Sequence, residues 1–287
     1  MSADQTLTNA VTGVGIGLRR GLLGPLSGLT TADVQFMEVA PENWIGVGGR
    51  WGKQFRRYAE QFPITLHGLS LNIGGPEPLD LDLLHDIRAF IDEFNCPFYS
   101  EHLTYCGDQG HLYDLMPIPF TTEAVTYVAE RISVVQDVLG QSIAMENASY
   151  YAAPSQELSE IDFINAVVNE SGCDLLLDVN NIYVNSINHG YNAEQFLSQL
   201  PGDKASYIHI AGHYEEAPDL RVDTHGTSVT EDVWHLLDKA YERFGLLPTL
   251  LERDFNFPPV EELMLEIDRI KTAQARYLSK AGKQNVG

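Results

Sequence analysis

Six apolar runs in this chain end in a side chain that can bind a metal ion. Pro63-Ile64-Thr65-Leu66 ends in His67, Phe98-Tyr99-Ser100 in Glu101-His102, and Ile143-Ala144-Met145 in Glu146-Asn147. Leu175-Leu176-Leu177 ends in Asp178, with Asn180 and Asn181 following. Tyr207-Ile208 reaches His209, with His213 four residues on, and Leu250-Leu251 ends in Glu252. Between the last two runs, Asp223-Thr224-His225 adds a compact pair, because alternate residues of an extended segment point the same way. Imidazole and carboxylate without thiolate suit iron, manganese or zinc, and disfavour a structural zinc site built of cysteines. Four histidines and four carboxylates are too many donors for one ion. They hold two or three ions if Glu146 or Glu252 bridges.

A lone buried histidine is more often a hydrogen-bonded core residue than a ligand. Six convergent groups reverse that expectation, since each buried acid or imidazole left unpaired costs several kcal/mol. His, Asp and Glu together are about one residue in six of this chain, so a donor at each of six successive run ends is roughly a one-in-700 coincidence.

The elements that must position these donors are legible. Eight candidate strands run over Gly13–Leu18, Val34–Val39, Pro63–Gly68, Phe98–Thr104, Ser142–Glu146, Asp174–Val179, Ser206–Ala211 and Thr249–Glu252. Amphipathic stretches lie between them: Leu81–Phe94, Thr122–Leu139, Glu157–Glu170, Ala193–Leu200 and Glu231–Phe244. The helical period is clear in Ala124, Tyr127, Val128, Ile132, Val135 and Val138. Alternating β and α predicts a parallel sheet, and eight units predict a TIM (β/α)8 barrel, whose chemistry sits at the carboxyl ends of its strands. An open doubly wound sheet is the alternative. It wants a glycine-rich phosphate loop in the turn after its first strand, whereas Gly13-Val14-Gly15-Ile16-Gly17 has its glycines within the strand. The reading is one domain over 1–287, with the barrel over 13–279. From Lys271 to Gly287 the sequence turns polar and basic and is expected to fray, with a polar tail over 280–287.

The 287 residues are 44% apolar and carry a formal net charge of −22. Such a chain repels phosphate backbones, which argues against a nucleic-acid partner. The excess carboxylate suits a protein that holds several divalent cations. The densest basic stretch, Arg50, Lys53, Arg56 and Arg57, reads as a solvated helix face. No apolar run approaches the roughly 18 residues of a membrane span. Met1 to Val11 lacks the pattern of a secretory signal. Cys96, Cys106 and Cys173 form no CxxC pair, which predicts a reducing, cytoplasmic compartment without disulfides. Cys106, close in sequence to His102, reads as a packing residue.

The segments Phe36-Met37-Glu38-Val39-Ala40-Pro41-Glu42-Asn43-Trp44, Ser100-Glu101-His102-Leu103, Glu146-Asn147, Leu177-Asp178-Val179-Asn180-Asn181 and His209-Ile210-Ala211-Gly212-His213 resemble the multinuclear non-heme iron-dependent oxidases, the family of the methanobactin-biosynthesis oxidase. The resemblance runs from about Gly13 to Pro259. It implies a barrel of the xylose isomerase type, related also to the apurinic-site endonucleases with their trinuclear metal sites. Carried over residue by residue, it implies as ligands His67, His102, Glu146, Asp178, His209, Asp223, His225 and Glu252. Asn181 stands where the endonucleases have a histidine three residues after the aspartate, and an amide is the weaker donor.

The resemblance further implies two or three iron ions, mixed Fe(II)/Fe(III), with dioxygen as co-substrate. The implied substrate is a cysteine-containing, ribosomally made precursor peptide. One ion would fix the substrate thiolate beside another that activates the oxidant, so geometry replaces a collision. Oxidation would then yield a heterocycle such as an oxazolone with thioamide or a thiooxazole. His213, Asn147 and Glu38 would be catalytic groups, and Asn43 and Asn180 would meet the substrate; the plainer role for each is a structural hydrogen bond. A small partner protein that recognises the peptide's leader is also implied, and the pair Arg19–Arg20 or the Arg50–Arg57 stretch could meet an acidic leader. A metal-dependent hydrolase of abasic DNA, a sugar isomerase and a non-catalytic metal carrier are the competing readings.

Overall fold

A computed structural model describes residues 11–108 and 110–284. The stretch read as lacking a secretory signal falls almost wholly outside these, as do the last three residues of the expected tail. Eight parallel strands close into a barrel. They are β1 (Val14–Gly17), β2 (Phe36–Val39), β3 (Ile64–His67), β4 (Tyr99–His102), β7 (Ala144–Glu146), β8 (Asp174–Asp178), β9 (Ala205–Ile210) and β12 (Thr249–Leu251). Each pairs with its neighbours in sequence order, and β1 pairs with β12 to close the ring. All eight fall where the apolar runs predict them.

Eight helices surround or follow the strands: α1 (Gly49–Gln61), α2 (Leu81–Phe94), α3 (Thr122–Leu139), α4 (Glu160–Ser171), α5 (Val179–His189), α6 (Ala193–Gln199), α7 (Glu231–Phe244) and α8 (Val260–Gln284). Their ends follow local chemistry. Asp80, Thr121, Ser159, Asp178 and Asn192 each accept a hydrogen bond from the backbone N–H three residues on. The Ser159 cap starts α4 at Glu160, three residues later than the periodicity places it. The Asp178 cap starts α5 directly off β8, where the sequence reads as a turn.

Two antiparallel hairpins rise from the carboxyl ends of the strands. One is β5 (Thr104–Gly107) with β6 (His111–Pro117); the other is β10 (His213–Ala217) with β11 (Leu220–Asp223). The fourth predicted run, Phe98–Thr104, is therefore divided between β4 and β5 at Leu103. The expected fraying from Lys271 is also corrected. α8 continues through it to Gln284, because Ile267, Ile270 and Ala273 keep an apolar face buried against the barrel.

Strand alternation sorts the barrel interior into a floor and a mouth. Phe36, Phe98, Ala144, Leu176, Tyr207 and Leu250 pack together inside the barrel. Two residues further along the same strands, on the same face, stand Glu38, Ser100, Glu146, Asp178, His209 and Glu252. The apolar layer thus forms a dry base under a polar one. Gly15 is required in this layer: a Cβ there would lie 2.2 Å from the Phe36 ring. The larger apolar cluster fills the space between strands and helices.

Candidate metal centre

The polar layer at the barrel mouth is buried. Glu38, Asp178 and His209 are fully inaccessible, and His67, Glu146, Glu252 and His225 are nearly so. His67 Nε2 lies 3.0 Å from Glu146 Oε2 and 3.1 Å from His102 Nε2. His102 Nε2 is itself 3.3 Å from Glu146 Oε2. Across the mouth, His209 lies between two carboxylates, with Nε2 3.0 Å from Glu38 Oε2 and Nδ1 2.9 Å from Glu252 Oε2. His225 Nδ1 stands 3.3 Å from the same Glu252 oxygen, and its Nε2 is 2.8 Å from Asp223 Oδ1 and 3.9 Å from Asp178 Oδ2. Three overlapping sets of donor atoms result: His67–Glu146–His209, Glu38–His209–Glu252 and Asp178–His225–Glu252. His209 and Glu252 each belong to two sets.

Several of these atoms are close without hydrogen-bonding. Glu146 Oε2, Glu252 Oε2, Asp178 Oδ2, His209 Nδ1 and His225 Nε2 are buried and make no hydrogen bond, although charged neighbours stand within 4 Å of each. Buried polar atoms in folded proteins are nearly always satisfied. Lone pairs that converge on one another without donating or accepting are what a shared cation needs. The donor set therefore fits divalent or trivalent metal.

The electrostatics agree. Burial alone pushes the Glu146 carboxyl up, but the facing His102 and His67 outweigh it and hold the group down at about 2. Burial alone lowers His102, and the carboxylates of Glu146, Glu101 and Glu252 win and raise it to about 9. His209 and His225 are raised well above the ordinary imidazole range by Glu38, Asp223 and Glu252, again against burial. Asp178 goes the other way: burial and then the Glu146 charge push it well above the usual carboxylate range.

The surrounding groups fix orientation. Ser100 Oγ is 2.8 Å from His67 Nδ1, and the Gly68 carbonyl is 2.9 Å from His102 Nδ1. Arg19 spans Glu252 Oε1 and Asp254 Oδ1, at 2.8 Å to each. Asp254 Oδ2 in turn lies 3.3 Å from His225 Nδ1. His225 has a left-handed backbone, φ 48°, a strained conformation for a non-glycine residue and one that gathers at functional sites. Asp254, which donates its N–H to the His225 carbonyl at 3.0 Å, locks it there.

The asparagines divide by role. Asn147 exchanges two hydrogen bonds with the backbone of Asp178, at 2.9 and 3.0 Å, tying β7 to β8. Asn181 Nδ2 donates to Glu146 Oε1 at 3.2 Å, while its Oδ1 is buried without a partner. That oxygen remains available as a donor atom. Asn180 is buried with both ends of its amide occupied, by Asp223 Oδ1 and by His213 Nδ1. It stands behind Asp223 rather than open to a substrate. His213, on β10, leaves Nε2 buried and unpartnered, and burial lowers its pKa. Asn43 lies at the exposed rim, where its carbonyl accepts from Arg20 Nη2 at 2.7 Å. Glu38, expected to be catalytic, stands within one of the donor sets.

Three neighbours escaped the sequence reading. Glu101 is buried beside His102, next to a residue singled out for its imidazole. Asp254 lies two residues past Glu252, and alternation along an extended segment is the signal that points to it. Arg19, expected with Arg20 to meet an acidic leader, instead pairs with Glu252 and Asp254. The cysteines carry no chemistry here: burial pushes Cys106 and Cys173 to about 11 and Cys96 to about 12.

The fold is shared with sugar epimerases and an endonuclease IV. D-psicose 3-epimerase of Clostridium cellulolyticum aligns over 95% of this chain and 99% of its own, with a TM-score of 0.57 and 11% identity. Endonuclease IV of Thermus thermophilus aligns over 93% and 99%, with a TM-score of 0.59 and 14% identity. At those identities the likeness establishes the barrel alone. In sequence, a UPF0276 protein of Alcanivorax borkumensis is 57% identical over 283 residues, 95% of each chain, and one of Shewanella sediminis is 55% identical over 261 residues, covering 91% of this chain and 94% of its own. The model of the family described as RiPP precursor modification enzyme MbnB/TglH/ChrH matches residues 13–275. With the donor-lined mouth of the barrel inside that span, the chain belongs to the MbnB/TglH/ChrH family of enzymes that modify ribosomally made precursor peptides.

Proposed function

We propose that this enzyme is a multinuclear iron oxidase that uses dioxygen to modify a cysteine of a precursor peptide. The observation that carries the reading is the sharing of His209 and Glu252 between adjacent donor sets. His209 and Glu252 would hold neighbouring ions through donors common to both sets, and ions held there would supply affinity for a substrate sulfur and for an oxidant. Two or three ions fit the donors: His67, His102 and Glu146 on one side, Glu38 and His209 in the middle, and Asp178, Asp223, His225 and Glu252 on the other, with Asn181 Oδ1 in reserve. Nitrogen and oxygen donors without thiolate leave the substrate as the source of sulfur. Bound iron would supply Lewis acidity toward a thiolate and the electrons that dioxygen requires.

The residues of the chain do the rest. The apolar base under the mouth keeps water from the reacting side. Ser100, the Gly68 carbonyl, Arg19 and Asn180 fix the rings and carboxylates they touch, so little reorganisation accompanies the reaction. His213 Nε2, buried and unpartnered, is placed to hold or pass a proton near the Asp223 side. Elemental analysis and Mössbauer spectroscopy of iron-enriched protein test the metal. Mass spectrometry of a cysteine peptide incubated with the holoenzyme under dioxygen tests the chemistry. Two or three coupled irons per chain and an oxidative mass change on the cysteine support the reading; stoichiometric zinc or manganese with no oxygen consumed would overturn it.

A further inference from the structure

The basic residues of this acidic chain are nearly all neutralised. Arg19 is committed to Glu252 and Asp254, Arg56 to Glu93 and Arg269 to Glu231. Arg131, Lys204 and Arg243 are bonded to backbone carbonyls, as is Arg20. Among the described side chains, Arg50, Lys53 and Arg57 are the lysines and arginines with neither an ion pair nor a hydrogen bond. All three are on α1. Their spacing of three and then four residues puts them on one side of that helix, opposite Phe55 and Tyr58, which are buried in the core. Together with Gly49 and Gln54 they line a single open groove.

Two further features favour an anion at this face. α1 has no acidic residue in its first turn and no side-chain cap, so its amino-terminal dipole is uncompensated where Arg50 stands. Trp51, 44% exposed, lies beside the Arg50 guanidinium and offers an apolar contact of the kind that anchors peptide interfaces. The position agrees. α1 follows β2, whose carboxyl end carries Glu38, so its first turn begins on the mouth side of the barrel.

We propose that this face of α1 docks an acidic segment of the polypeptide substrate and so holds the rest of that chain at the mouth of the barrel. The proposal rests on the peptide-modifying reading. It narrows the earlier expectation, since Arg19 and Arg56 are already paired. A net charge of −22 makes the protein as a whole unfavourable to acidic chains, so a groove of unpaired cations supplies both attraction and register.

Fluorescence anisotropy of a fluorescein-labelled oligo-glutamate on the full-length protein tests this. Saturable binding that weakens with salt is expected, and the Arg50→Glu/Lys53→Glu/Arg57→Glu variant should bind at least about tenfold more weakly. Glutamate is a good helix former, so α1 should persist, which circular dichroism checks. The Arg269→Glu/Arg276→Glu/Lys280→Glu variant, with the same net charge but changes on α8, should bind as wild type does. Absence of binding, equal weakening in both variants, or equal competition by an oligo-thymidylate of the same charge would overturn the proposal. His102→Ala, which damages the metal centre, should leave oligo-glutamate binding intact, so a failure of docking and a failure of the oxidase reading are separately visible.

Discussion

At the scale of single residues, the metal centre is a set of protonation equilibria. His102 is raised to about 9 by the carboxylates around it, so at neutral pH the metal-free protein carries a proton where a donor lone pair must be. Metal binding therefore has to displace it. Affinity for Fe(II) should climb as pH rises toward about 9, and calorimetric titrations in buffers of different ionisation enthalpy should show proton release on binding. His102→Ala should weaken this pH dependence, leaving the part due to His209, His225 and Asp178, and lower metal content by at least one equivalent. A second titration belongs to Glu160, away from the metal centre. Burial raises its carboxyl to about 7, against hydrogen bonds from Asn185 and Tyr150 that lower it. A raised folded-state pKa contributes stability that is complete below the unfolded value near 4.5 and lost as pH rises through about 7. Glu160→Gln should flatten that part of the stability–pH curve. The difference between wild type and variant should change by about 3 kcal/mol between pH 4.5 and 8, read by urea denaturation of metal-free protein.

At the scale of elements, two short insertions carry much of the site. The β10–β11 hairpin pairs His213 with Asp223 at its base and delivers His225 two residues beyond that pair. Gly212 lets that hairpin leave β9: an added Cβ would lie 2.2 Å from the Thr227 carbonyl oxygen and 2.5 Å from that of Ser228. Gly212→Ala should cost about 1–3 kcal/mol of stability, and more tellingly should displace Asp223 and His225. The expected result is a folded barrel by circular dichroism with reduced metal occupancy by elemental analysis. The α5 helix is the other device. Its cap, Asp178, accepts from the Asn181 N–H at 2.6 Å, so one carboxylate starts the helix and keeps its other oxygen for metal.

At the scale of the whole molecule, charge and fold are coupled through the ions. Five carboxylates, from Glu38, Glu146, Asp178, Asp223 and Glu252, meet at one end of the barrel; Arg19 pairs with Glu252, and the remaining repulsion is relieved by protons or by metal. Removing metal should therefore destabilise the entire barrel, not merely the mouth. Each site filled at about a hundredfold excess over its dissociation constant should add about 2.7 kcal/mol, or roughly 4–5 °C in thermal midpoint for a chain of this size. Calorimetry of chelated and reconstituted protein reads that shift; an unchanged midpoint would mean the donors do not hold metal.

Much of this was legible in the sequence because strand alternation and barrel topology are both periodic. A residue at the end of an apolar run in a βα unit faces the mouth, and His67, His102, Glu146, Asp178, His209 and Glu252 could be found that way. The sequence by itself determined the strands, their order, the type of donor and the excess of negative charge. Only the tertiary structure decided how the donors group, that Glu38 stands among them, and that Arg19 and Asp254 brace Glu252 and His225 from opposite ends of the chain. It also decided that Asn180 faces inward and that three cations on α1 stay unpaired. These are matters of distance between residues far apart in sequence. Local pattern fixes which way a side chain points along its own strand, but only closure of the barrel brings β1 against β12 and sets which charges meet.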